Sequence, residues 1–260
     1  MTALELLLSL AVIGKRTTQQ ALRGASVVLA AALLAWPACI VCHAQSSRTR
    51  SPVRLKPPQI REAEQRLSDL GYWTGPIDGR FDASSREALI AFQKVEGRRP
   101  TGILTLDVLE ALQNASPPRP LESGYAHVEV DLGLQVLFFV DAGGTVSHIL
   151  PVSSGSGRPF TSEGWTRDAV TPKGRFSIQR KLEGWRKGPL GPIFYPNYFL
   201  AGVAIHGLSS VPATPASHGC VRIPMFASRE FSEMTPVGTR VIIHDGSTDT
   251  RSVANTVGKP

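Results

Sequence analysis

The pattern of apolar and polar positions changes period once along the chain. Between Gln59 and Gln113 it is helical: Ile60, Ala63, Leu67 and Leu70 recur at three- and four-residue steps, the spacing of one buried helix face. Gly71 supplies the positive φ at which that helix stops. Tyr72–Gly79 reads as a double turn, punctuated by Gly75-Pro76 and Asp78-Gly79. A second helix is predicted from Asp82 or Ser84, where Ser84 and Glu87 have capping-box spacing. Its apolar face is Ala88, Leu89, Phe92 and Val95. After a turn at Thr101–Thr105, Val108, Leu109 and Leu112 predict a third helix.

From Gly124 onward the period is that of strands. Ala126–Val130 alternates, and Leu134–Val140 is a nearly continuous apolar run suited to a buried strand. Asp141–Gly144 predicts a hairpin turn into a strand at Val146–Val152. Thr171–Ile178 reads as a turn and a strand, Val203–Ile205 as a short strand ending on His206. A short helix is predicted around Met225–Glu233 and a closing strand at Thr239–His244. Gly155–Asp168 and Gly184–Pro196 read as loops long enough to suspect function. Few helices and many short strands predict a β-rich sandwich or barrel-like core. The fold class is therefore α+β, with a small three-helix N-terminal domain at 59–113 and a β-rich sandwich domain at 124–245. Between them, 114–123 is a linker by composition, and its prolines mark two units that need not move together.

Composition narrows the compartment. With 42% apolar and 19% charged residues the chain is that of a folded protein. Its net charge of +7 attracts acidic partners, nucleic acid and an anionic cell envelope alike. The N-terminus chooses between them. Lys15, Arg16 and Arg23 precede an apolar run, Gly24–Ala35, that is too short to span a membrane comfortably. Residues 1–44 read as a secretory signal cut after Ala44, the alternative being an uncleaved anchor. The apolar stretch Thr2–Gly14 ahead of the basic residues suggests a start further along. Export sets nucleic acid aside, and no membrane span is expected in the mature form. Residues 45–58 read as a basic, Pro-rich tether, and the polar tail 246–260 is expected to be disordered. Cys39 and Cys42 leave with the signal, so Cys220 is the lone thiol and no internal disulfide is available.

Cys220 lies in the stretch that carries the chemistry, Val203–Pro224. His206, Ser217, His218, Gly219, Cys220 and Arg222 fall within 17 residues. The thiolate is the nucleophile, and a neighbouring imidazole can take its proton and later protonate a leaving amine. His218 is two positions from Cys220, on the same side of an extended segment; His206 ends the preceding strand. Spacing leaves open which of them is the base. Gly219 lets backbone approach a substrate, and the Cys220 N–H is a natural oxyanion donor. Arg222 shares the parity of Cys220 and can clamp a substrate carboxylate, a salt bridge being the plainer alternative. Ser217 and Arg222 are the expected substrate contacts. His206, His218 and Cys220 could also offer three zinc ligands. No carboxylate follows at a metal-site spacing, so no metal is expected. His127, His148 and His244 sit in strand-like segments and are assigned surface or packing roles.

Two resemblances add to this reading. Gln65-Arg66-Leu67, Leu70-Gly71-Tyr72, Gly75-Pro76-Ile77-Asp78-Gly79, Phe81, Ser85-Arg86-Glu87-Ala88, Phe92-Gln93 and Thr101-Gly102 together resemble the three-helix peptidoglycan-binding domain, type 1. Asp82 departs from the usual Gly. The resemblance implies binding of cell-wall glycan or stem peptide in a groove near the Tyr72–Gly79 loop, with core packing as the other reading of Tyr72 and Trp73.

The segment I-H-G…S-H-G-C-V-R, preceded by T-P-K-G-R-F, resembles the YkuD-type L,D-transpeptidase catalytic domain over Gly124–Asp245. That resemblance implies Cys220 as nucleophile, His206 as proton donor and acceptor, and His218 and Gly219 as supports of the site. Many members have Asn where this chain has Arg222, and the gap from His206 to Ser217 is shorter than in some. It also implies a lid loop, for which Gly155–Asp168 and Gly184–Pro196 are the candidates, and inhibition by carbapenems. The implied reaction acylates Cys220 with a tetrapeptide stem, releases D-alanine and forms a 3→3 cross-link without a cofactor. The alternatives are an L,D-carboxypeptidase at the same site and a non-catalytic peptidoglycan-binding protein. The expected partners are peptidoglycan stem peptides and glycan, in the periplasm or cell wall.

Overall fold

Residues 55–162 and 164–246 are described by a computed structural model. The expected signal, most of the tether and the tail beyond Gly246 lie outside the described residues. Three helices come first: α1 (Pro57–Asp69), α2 (Ala83–Val95) and α3 (Leu106–Asn114). The strands β1 (His127–Asp131), β2 (Val136–Val140) and β3 (Val146–Pro151) follow. A hairpin of β4 (Pro159–Ser162) and β5 (Trp165–Asp168) leads to β6 (Gly174–Ser177) and β7 (Arg180–Lys181). Next are β8 (Trp185–Gly188), β9 (Gly191–Leu200) and β10 (Val203–Leu208). The order is completed by β11 (Val221–Pro224), α4 (Met225–Met234) and β12 (Arg240–His244).

The predicted helices form where the apolar spacing puts them, and the caps explain their ends. Pro57 and Pro58 occupy the first turn of α1, two residues ahead of the predicted start, where no N–H is needed. At its end Gly71 has φ +88°, and the Tyr72 N–H bonds to the Leu67 carbonyl as a Schellman turn requires. Asp82, not Ser84, caps α2, accepting from the N–H groups of Ser84 and Ser85. Buried Glu64 joins this unit internally, accepting from the Gly79 N–H and the Ser85 hydroxyl.

Two sheets face each other, in the orders β3-β2-β1-β12-β6 and β11-β10-β9-β7, with β8 on the far part of β9. β1 and β12 run parallel, as do β10 and β11. Val128, Val130, Leu137 and Leu150 from the first sheet pack with Phe199, Ile205, Val221 and Ile223 from the second, and α4 adds Phe231. This is the expected α+β architecture with its β-rich sandwich.

The helices and sheets belong to one compact unit. Val136, Phe138, Val140 and Ile149, on the outer face of β2 and β3, share a core with Leu67, Leu89, Phe92 and Leu112. The nearly continuous apolar run of β2 thus covers two cores, one on each face. Each large side chain buried there contributes about 1.5–3 kcal/mol, so the helical unit is docked and not merely linked. The chain after Gly71 also caps the free edge of β3: the Ile149 N–H bonds to the Gly71 carbonyl and the Trp73 N–H to the Ile149 carbonyl. Tyr72 packs edge-on to Phe92, and Trp73 lies 4.6 Å from the His148 ring. Both aromatics are buried, so their side chains make domain packing and not an open groove. The linker is held as well: its Leu121 and Glu122 N–H groups both donate to the buried Glu129 carboxylate, which His127 also contacts.

Candidate active site

The β9–β10 hairpin delivers His206, and the chain returns through residues 209–220 to lay β11 beside β10. The parallel register pairs Ile205 with Val221 and His206 with Arg222, which sets Cys220 beside Ala204. Alternation does the rest: Ile205, Val221 and Ile223 enter the core, and His206, Cys220 and Arg222 share the other face. Strand spacing puts the Cα atoms of His206 and Cys220 on a diagonal of about 8 Å, within reach of an imidazole and a thiol. The pairing of β10 with β9 is irregular between Ile205 and Gly207, a local kink at the histidine.

His206 is buried, and its Nδ1 lies 3.0 Å from the Gly207 carbonyl. A carbonyl only accepts, so Nδ1 carries the hydrogen and Nε2 is left with the lone pair. Burial holds this imidazole below the usual histidine range, and the Arg222 charge acts in the same direction. Burial pushes the Cys220 thiol up, opposed by a hydrogen bond with the Ala204 backbone and by Arg222. The two shifts together favour a neutral thiol–imidazole pair at rest.

The S-H-G-C turn is pinned from within. Ser217 is 1% exposed; its hydroxyl donates to the Cys220 carbonyl and accepts from the Gly219 N–H at 3.0 Å. Expected as a substrate contact, it uses its donor and one of its two acceptor lone pairs inside the turn. Gly219 has φ +135°, and a Cβ there would stand 3.0 Å from the Val170 carbonyl. The Ala216 and Ser217 N–H groups both bond to the Ser154 carbonyl, and Ser153 exchanges two backbone bonds with Arg222. Arg222 donates to the Ala216 carbonyl at 3.1 Å and forms no ion pair among the described residues.

The two stretches read as loops contain the hairpins β4–β5 and β8–β9. Their polar and Gly-rich composition hid the strands: β4 and β5 have no face to bury, and β9 becomes buried only from Pro196 onward, at the end of the stretch read as a loop. The first reaches the motif: Phe160 on β4 packs 4.6 Å from the exposed His218 ring, and the Arg167 guanidinium sits over Phe160. In the second, Trp185 faces Phe194 across the strands at 5.0 Å.

Sequence reasoning missed Thr171, Ser153 and Ser154, which carry the motif from the opposite side; only Thr171 fell in a quoted stretch, T-P-K-G-R-F. A cavity of about 710 Å³, lined in part by Tyr125, Arg175, Gln179 and Arg240, contains none of the site residues. His127, His148 and His244 have packing roles: His127 and His244 are buried near Glu129, and His148 stacks on Trp73. Among the described residues no group of three or more His, Cys, Asp or Glu side chains could hold a metal, and no helix is long and apolar enough to cross a membrane.

Comparison with known proteins agrees with this fold. A peptidoglycan-binding domain model matches residues 56–112, and an L,D-transpeptidase catalytic domain model matches residues 125–243. Among curated proteins no relative matches at a significant level. A crystal structure of the L,D-transpeptidase from Xylanimonas cellulosilytica is 36% identical, covering 72% of this chain and 94% of its own, with a TM-score of 0.69. An L,D-transpeptidase structure from Stackebrandtia nassauensis is 23% identical over 70% of this chain and 89% of its own, with a TM-score of 0.42. On the catalytic-domain match, and on the identity it shares with the Xylanimonas enzyme over nearly all of that chain, this chain belongs to the L,D-transpeptidase family and is an enzyme of that type.

Proposed function

We propose that this chain is an exported cell-wall L,D-transpeptidase working through an acyl-enzyme on Cys220. One arrangement carries the reading: parallel β10 and β11 hold His206, Cys220 and Arg222 on the face away from the core, with His206 Nε2 presented as the proton acceptor. His206 takes the thiol proton as Sγ attacks the carbonyl after the third residue of a tetrapeptide stem. The Cys220 N–H receives the developing oxyanion. The C–N bond then breaks, His206 returns the proton to the departing D-alanine amine, and a thioester remains. The side-chain amine of a third residue on another stem attacks it, forms a 3→3 cross-link and regenerates the thiol. Arg222, free of any ion pair among the described residues, holds a stem carboxylate. His218 and Phe160 brace the β4–β5 hairpin as a wall of the acyl site. The helical unit contacts glycan or stem peptide through surfaces other than Tyr72 and Trp73, whose side chains are buried.

The test is mature protein incubated with tetrapeptide muropeptides and followed by mass spectrometry. A dimer that has lost one D-alanine supports transpeptidation. A tripeptide alone means a carboxypeptidase, in which water takes the acyl group, and unchanged muropeptide means a non-catalytic wall-binding protein. Cys220→Ala abolishes turnover. His206→Ala suppresses acylation more than His218→Ala, and the reverse order overturns the choice of base.

A further inference from the structure

Thr171 stands between the foot of the β4–β5 hairpin and the peptide group that precedes the thiol. It is 4% exposed, although it lies outside any strand or helix. Its hydroxyl accepts from the Gly155 N–H at 2.8 Å and donates to the Gly219 carbonyl at 2.8 Å. Gly155 and Thr171 bracket the hairpin, and Gly155 is bridged in parallel to Ser217. One hydroxyl therefore closes a ring through both ends of the hairpin and the S-H-G-C turn.

The peptide joining Gly219 to Cys220 is planar and trans, so its carbonyl and its N–H point in opposite directions. Holding the Gly219 carbonyl against the buried Thr171 turns the Cys220 N–H the other way, outward. Ser217 already engages the Gly219 N–H and the Cys220 carbonyl. Three of the four backbone polar groups of Gly219 and Cys220 are thus committed, and the remaining one is the Cys220 N–H. Gly219 itself, at φ +135°, has no side chain to resist rotation of that peptide plane. The restraint must come from outside the turn.

We propose that Thr171 is the positioning residue of the oxyanion donor: its hydroxyl locks the Gly219–Cys220 peptide plane so that the Cys220 N–H faces the carbonyl oxygen under attack. This rests on the acyl-enzyme reading above. In the step concerned, the Sγ–C bond forms, the carbonyl π pair moves onto oxygen, and the thiol proton passes to His206. The locked N–H stabilises the oxygen charge that exists only in the transition state and the tetrahedral intermediate. The same tie makes the seating of the hairpin and the aim of the N–H a single structural event.

Two reactions of one thiol separate this role from a merely structural one. Alkylation by iodoacetamide displaces iodide at a saturated carbon and develops no oxyanion. Acylation by a carbapenem forms Sγ–C, breaks the lactam C–N bond and passes through an oxyanion. Both rates are measured at Cys220 of the full chain by peptide-level mass spectrometry. Thr171→Val is expected to alkylate at close to the wild-type rate while acylation falls on the order of 10- to 100-fold, somewhat less than outright loss of an oxyanion donor. Thr171→Ser, which keeps the hydroxyl, is expected to acylate nearly as wild type. If valine is not accommodated, Thr171→Ala gives the same reading. Equal slowing of both reactions, undiminished acylation in the valine variant, or a serine variant as slow as valine overturns the proposal. A wild-type chain that alkylates at Cys220 but is never acylated there overturns the acyl-enzyme reading instead.

Discussion

The Lys94 ammonium, near the end of α2, donates to the carbonyl of Val152 at 2.9 Å, and to that of Gln135 at the same distance. Val152 leads directly into Ser153, which pairs with Arg222, and Ser154, whose carbonyl seats Ala216 and Ser217. A charge of the helical unit therefore ends one residue away from the segment that carries the catalytic turn. Lys94 is 7% exposed, and burial holds its ammonium down to about 8.

Replacing this lysine tests the coupling. Lys94→Met leaves two buried carbonyls without their donor, a loss of about 1–3 kcal/mol. The pH dependence has a defined sign. The unfolded lysine keeps its proton up to about 10.4, so between the two values the unfolded state binds more protons and folding stability rises with pH. Urea unfolding should therefore show a larger gap between wild type and Lys94→Met at pH 10 than at pH 7. A gap that shrinks as pH rises contradicts the buried-cation account.

Removing the helical unit tests the shared core. A chain of residues 125–246 exposes Val136, Phe138, Val140 and Ile149 together with the edge of β3. It is expected to aggregate or to melt on the order of 10 °C or more below the full chain. Melting curves that coincide would mean that the two units are energetically independent.

Cys220 should alkylate as a half-buried neutral thiol. Its iodoacetamide rate is expected to rise with pH through a midpoint above the ordinary thiol value of about 8.5, without a thiolate plateau in acid. Arg222 opposes the upward shift, so Arg222→Gln moves the midpoint higher still. A plateau below neutral pH would reveal a preformed thiolate–imidazolium pair.

Ser217→Ala separates positioning from substrate contact. Loss of the hydroxyl frees the Gly219 N–H and the Cys220 carbonyl, with a stability cost of about 1–3 kcal/mol. The same loosening of the turn is expected to lower kcat about tenfold or more with KM little changed. A raised KM with unchanged kcat would identify the serine as a ligand of the substrate.

Much of the fold was legible because its signals are local. The apolar spacing of Ala63, Leu67 and Leu70 and the stop at Gly71 describe α1 without help from the rest of the chain. The hairpin β4–β5 was not legible, since strands such as Trp165–Asp168 bury no face and so leave no alternation to read, and the exposed start of β9 hid a strand whose buried residues come only at its end. Sequence alone leaves Tyr72 and Trp73 open between packing and a groove, and gives no sign that Lys94 is buried, for a different reason. Nothing near them in sequence announces that a second domain covers them.

By itself the sequence determined the reactive inventory: one thiol beyond the expected signal, two histidines, a glycine and a guanidinium in a short span, on a strand-rich scaffold. Spacing could not rank His206 against His218, and it was the family resemblance that named His206. The parallel register of β10 and β11 sets His206 on the face of Cys220, and the Gly207 carbonyl decides which of its nitrogens carries the proton. Hydrogen bonds from Thr171, Ser154 and Lys94 join residues far apart in the chain, and such bonds leave no periodic trace in a sequence. Only the tertiary structure, which brings two sheets and a docked helical unit around one turn, decided how that turn is held.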